Sequence, residues 1–240
     1  MKLLERVRRV VPSPTTSLDV PDWSGGWILI LPGLLILLQF VPLVLVVLGL
    51  RWTLAGLLLS AMVSDAFVVG IAWLVLCSRS GRSLRSLGLK PPLRNRDLVL
   101  RPVVGSVLVV VAVFLASAVY YVVSGGRMPP PQRTVQVLGG VQSLGLKILA
   151  VAAVGLAAPV AEEIIFRGVV FRGLRWRTSG TSAYVLSAIY FSLAHLDPDH
   201  FLHLFGVGLV LAWTADRSHS LFPGMILHGA INLTSLWTLW

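Results

Sequence analysis

The feature that most constrains this chain is an uncharged run of 24 residues, Trp27 to Leu50, reading WILILPGLLILLQFVPLVLVVLGL. About 20 mostly apolar residues carry a helix across the hydrocarbon core of a bilayer. Further apolar stretches follow at about Trp52–Cys77, Pro102–Val123, Lys147–Phe171, Thr181–His195, Phe201–Ala215 and Leu221–Trp240. Their number and length predict an all-α fold, a polytopic membrane helix bundle of about six to eight transmembrane helices. Pro131–Leu146 is too polar and Gly-rich to count as a further span. Composition agrees: 56% of residues are hydrophobic and 12% charged, against roughly 25% charged in soluble domains. A soluble enzyme of this size could not cover so much apolar surface. A disordered chain is excluded on the same ground.

The net charge of +10 first suggests a nucleic-acid partner. Its distribution argues for membrane topology instead, because cytosolic loops of membrane proteins collect Lys and Arg. With the N-terminus in the cytosol, the cytosolic segments hold Lys2, Arg6, Arg8 and Arg9, then seven basic residues from Arg79 to Arg101, then Arg172, Arg175, Arg177 and Arg217. The opposite side holds Arg51, Arg127, Arg133 and Lys147, with Asp197 and Asp199. No aromatic-interleaved basic patch is present, so no nucleic-acid partner is expected. The bilayer itself is the expected surrounding. Residues 1–26 lack the apolar segment of a signal peptide and are read as a cytosolic tail. Residues 27–146 are read as N-terminal transmembrane helices and 147–240 as the part carrying the chemistry, all in one integral membrane domain. The single cysteine, Cys77, excludes an internal disulfide.

Of ten carboxylates only Asp65, Glu162 and Glu163 fall within spans. A charge at the bilayer centre costs about 2.5–3.5 kcal/mol on insertion scales, so adjacent glutamates need a reason. Glu163 and Arg167 stand i,i+4 and can pair on one helix face. Glu162 points about 100° away and lacks a partner on its own helix. His195 lies one turn after Phe191, and His228 and Asn232 are again i,i+4. Glu162, His195 and His228 fall at similar depth on three helices, which predicts one buried polar cavity. The small residues of VAAVGLAAPVA and of Gly206–Gly208 let helices approach closely. Pro159 breaks the helical ladder just before Glu162 and frees a carbonyl.

These residue types suit attack of water on an amide carbonyl. Glu162 and His195 can deprotonate the water, and His228 with Asn232 can donate to the oxyanion. Two histidines and a carboxylate are also a zinc set with an open water position, so Zn²⁺ held by Glu162, His195 and His228 is the competing mechanism. The HExxH zinc-helix signature is absent, paired membrane aspartates are absent, and no nucleophile motif surrounds Ser187 or Ser192.

EEIIFRG (162–168), FSLAH (191–195) and HGAIN (228–232) resemble the three motifs of the CPBP family, the CAAX proteases and bacteriocin-processing enzymes also called Abi. The family patterns are EExxxR, FxxxH and HxxxN, and the resemblance covers about residues 147–240. It implies a helical intramembrane endopeptidase opening toward the cytosol. Glu162 and His195 would activate water, His228 and Asn232 would form the oxyanion site, and Glu163, Arg167 and Phe191 would support them. Relatives are assigned both metal-dependent and metal-independent glutamate mechanisms. The implied substrate is a membrane protein or peptide, and prenylation is not implied. The compact size and charge pattern resemble those of a bacterial cell-membrane protein. A non-catalytic membrane scaffold or bacteriocin self-immunity protein of the same fold is the alternative. A proton-coupled transporter would need polar stations on both sides, and only Asp65 offers one.

Overall fold

A computed structural model describes residues 26–41, 53–77 and 83–240. Residues 1–25 of the expected cytosolic tail and residues 42–50 of the Trp27–Leu50 run lie outside the described residues. Within them the chain is helical, with no strand. The helices are α1 (Trp27–Gln39), α2 (Leu54–Leu76), α3 (Asp97–Val123), α4 (Arg133–Leu138), α5 (Leu144–Arg177), α6 (Gly180–Ala194), α7 (Phe201–Ser218) and α8 (Phe222–Trp237). Three of these are long and apolar enough to cross a membrane: α2, α3 and α5. α1 and α6 are shorter apolar helices. Side chains such as Val103, Val110 and Phe114 on α3 are exposed, an apolar face that suits lipid and not water. The protein is a helical membrane bundle.

Local chemistry sets the helix ends. The Thr53 hydroxyl accepts from the Gly56 N–H at 3.1 Å, and Ser179 Oγ accepts from the Ser182 N–H at 3.1 Å, starting α2 and α6. α3 ends before Gly125 and Gly126, both at positive φ, where glycine turns the chain without strain. The Pro131–Leu146 stretch forms the short α4 and the first residues of α5, so it does not span.

α5 is longer than the expected Lys147–Phe171 span, with 34 residues, and it is not a regular α-helix. Val151–Ala157 and Glu163–Phe171 are π-helical, the wider register that often marks functional sites. Small residues allow close packing around it. A Cβ on Gly229 would meet Gly155 O at 3.0 Å, and one on Gly208 would meet the Ala188 backbone at 3.0 Å. Those contacts seat α8 on α5 and α7 on α6, as the small-residue stretches predict.

The bundle has two chemically different ends. At one, Arg172 Nη1 donates to Ser86 O at 2.9 Å, the Leu221 N–H donates to Gly88 O at 3.0 Å, and Arg101 stacks over Trp213. Nine of the described Lys and Arg residues gather there, from Arg85 to Arg101 and from Arg172 to Arg217. At the other end Trp240 Nε1 donates to Leu138 O at 3.2 Å and Tyr120 donates to Asp199 at 3.0 Å. Among the described residues that end has only Arg127, Arg133 and Lys147.

Candidate active site

Glu163 and Arg167 are fully buried on α5. Arg167 Nη1 lies 2.9 Å from Glu163 Oε1, and its Nη2 donates to Gly208 O at 3.3 Å. The i,i+4 pairing expected from the sequence is therefore formed. The same Glu163 Oε1 also receives His228 Nδ1 at 3.3 Å. Glu163 Oε2 is packed against Gly224, where a Cβ would stand 2.6 Å away. Arg167, Glu163 and His228 thus form one buried chain. A carboxylate only accepts, so the contact puts a proton on His228 Nδ1 and leaves Nε2 facing the next group.

That group is Glu162. Its Oε2 lies 3.8 Å from His228 Nε2 and 3.8 Å from His195 Nε2. Both separations are too long for direct hydrogen bonds and suit groups that share a water. His195 Nδ1 is 2.8 Å from Phe191 O, so this ring too carries its proton on Nδ1 and turns Nε2 toward Glu162. His195 caps the C-terminus of α6, and Leu196 after it adopts φ 51°, the left-handed conformation that turns a chain at a helix end. Phe191 is buried at the junction. Its ring is 4.6 Å from His195, 5.8 Å from His228 and 4.3 Å from the Arg167 guanidinium. The expected roles of Glu162, Glu163, Arg167, Phe191, His195 and His228 therefore fall on side chains that the fold brings together.

Asn232 differs from expectation. Its Nδ2 donates to Val154 O at 2.8 Å. The π register explains why that carbonyl is free. The Ala158 N–H reaches back five residues to Ala153 O; Pro159, next in that register, has no N–H to give Val154 O. Asn232 supplies the missing donor, so one of its two N–H groups holds the helix and only the other can face a substrate.

Glu162, His195, His228 and Asn232 line a cavity of about 950 Å³. Pro129, Pro131, Gln132 and Thr134, after α3, also line it, as do His200 and Thr238. The cavity thus reaches the end away from the basic segments, whereas the sequence reading places the opening on the basic, cytosolic side. The reason is helix direction: His195 stands at the far end of α6 from Arg172–Arg177. Asp65, His200 and His203 also line the cavity, although the sequence marks Asp65 only as an acid within a span and sets His200 and His203 in no motif. Four of the five histidines line this one cavity, a convergence that loop and helix spacing alone do not reveal.

Two ligand atoms of a tetrahedral zinc ion, each about 2.0–2.1 Å from it, lie about 3.4 Å apart. The Glu162–His195 and Glu162–His228 separations are 3.8 Å, and among the described residues no group of three or more His, Cys, Asp or Glu is arranged to hold a metal ion. These separations do not fit the zinc set of Glu162, His195 and His228 that the sequence left open as an alternative.

Residues 144–234 match the family model of the type II CAAX prenyl endopeptidase Rce1-like proteins. The chain is also 30% identical over 113 residues to a Bacillus subtilis (strain 168) protein named "Putative membrane peptidase YdiL". That alignment covers 47% of this chain and 44% of the relative's own length. No solved structure matches the chain.

Proposed function

We propose that this chain, whose residues 144–234 carry the CAAX prenyl endopeptidase family's domain, is an intramembrane endopeptidase acting on membrane proteins or peptides. The observation that carries the reading is the convergence of Glu162 Oε2 with His195 Nε2 and His228 Nε2, 3.8 Å from each. All three side chains line one cavity inside an apolar bundle.

Glu162 and His195 share a water, and Glu162 takes its proton as the oxygen attacks the scissile carbonyl. The new C–O bond gives a tetrahedral oxyanion. His228 donates to it from Nε2, which must then carry a proton in addition to the Nδ1 proton held by Glu163, and the free N–H of Asn232 is the second donor. Collapse breaks the C–N bond, and Glu162 returns its proton to the departing amine. Arg167 holds Glu163 in place throughout. Glu163 and Arg167 are fully buried, so the charge pair behind His228 acts in a low-dielectric surrounding.

The test is a comparison of membrane peptidomes from cells carrying the wild-type protein or Glu162→Gln at equal abundance. Peptides present only with the wild type support the reading. Identical peptidomes from the two strains contradict it.

A further inference from the structure

A second polar group lines the same cavity away from Glu162. His203, on the first turn of α7, is 7% exposed, and His200, which caps that helix, is 8% exposed. Their rings lie 5.5 Å apart, and His200 Nδ1 is engaged by Asp197 Oδ2 at 3.1 Å. His203 Nε2 is 2.9 Å from Ser117 Oγ on α3, while its Nδ1 is buried without a partner.

The proton on His203 is assigned from Ser117, whose hydroxyl has, among the described residues, no hydrogen-bond partner but His203 Nε2. Ser106, Ser192 and Thr214 each donate to the carbonyl four residues back. Ser117 instead meets the imidazole. A hydroxyl donating to Nε2 makes that nitrogen the acceptor, so a neutral ring carries its hydrogen on Nδ1. His203 then presents an unused N–H at the N-terminus of an 18-residue helix, whose first backbone N–H groups and dipole favour an electron-rich oxygen. A buried donor without an acceptor is costly, and His203 is one of the residues lining the cavity.

We propose that His203 and the first turn of α7 form a substrate-binding station. It holds an acceptor oxygen of the bound peptide, a backbone carbonyl or a terminal carboxylate, while the scissile bond lies at Glu162. The proposal rests on the peptidase reading for its ligand. Ser117 is the positioning residue that fixes the tautomer.

The test measures binding and not turnover. Glu162→Gln protein in nanodiscs of phosphatidylethanolamine and phosphatidylglycerol is titrated with a fluorescein-labelled, palmitoylated Leu-Ala decapeptide. The peptide carries either a free C-terminal carboxylate or an amide. His203→Met and His203→Gln are similar in shape and differ in having an N–H to give. His203→Met is expected to weaken binding roughly tenfold, and His203→Gln to restore most of it. A loss seen only with the free carboxylate identifies the terminus as the ligand, and an equal loss with both peptides identifies a backbone carbonyl. Equal affinity of His203→Met, His203→Gln and the parent overturns the station, and so does absence of saturable binding by the parent. Failure of the peptidase reading is read separately, as equal cleavage by wild type and Glu162→Gln.

Discussion

Arg167 and Glu163 lie with no exposed surface in an apolar bundle, where removing either partner leaves an uncompensated charge. Arg167→Met is expected to destabilise the fold by about 3–5 kcal/mol, read as a fall in the unfolding midpoint of the purified protein. The double variant Glu163→Met, Arg167→Met is expected to recover much of that stability while losing activity, because His228 no longer has its orienting carboxylate. Full activity in the double variant would contradict the role given to Glu163. At this scale the sequence was half legible. The Glu163–Arg167 pair follows from i,i+4 geometry on one helix. The His228–Glu163 contact spans 65 positions and depends on how α8 packs on α5, which no local spacing encodes. His203 lay beyond the sequence reading for the same reason: its partner Ser117 stands 86 positions away.

The elements carry their own logic, and α5 is the clearest case. Pro159 was legible as a break in hydrogen bonding, but the π register that decides which carbonyl goes free was not. That register makes Val154 O the orphan and Asn232 its donor. Asn232→Ala is expected to cost about 1–3 kcal/mol. Pro159→Ala restores an N–H to the helix, so Asn232→Ala in that background is expected to cost measurably less. A double-mutant cycle of unfolding midpoints measures the coupling, and strict additivity would contradict it. Close approach gives a second prediction. Gly224→Ala puts a Cβ 2.6 Å from Glu163 Oε2, so it is expected to lower activity far more than stability by displacing the carboxylate that orients His228. Cleavage assays and unfolding midpoints on the same preparation separate the two effects.

For the whole molecule, hydrophobicity made the membrane bundle legible, and the charge pattern made its two ends legible. Among the described residues, three helices are long and apolar enough to cross a membrane and two more are shorter apolar helices. α7 and α8 carry His203, His228 and Asn232, which line the cavity, and α7 ends in Asp216 and Arg217, which together lower their hydropathy below that of a lipid-facing span. Which end the cavity meets was not legible, since it depends on the direction of α6. On the positive-inside rule we propose that the Arg-rich end faces the cytosol and the loop after α3 the other side. In a Cys77→Ser background, an impermeant maleimide applied to intact cells is expected to label Thr134→Cys and to leave Asn95→Cys unlabelled. The reverse pattern would invert the molecule.

We propose that Glu162, facing His195 and His228, makes this bundle a peptidase. The most direct test is cleavage of a membrane-anchored peptide library by purified protein in liposomes, wild type against Glu162→Gln. The account predicts a rate loss on the order of 10²–10⁴-fold at an unchanged unfolding midpoint. Equal cleavage by the two proteins, or none by either, would contradict it.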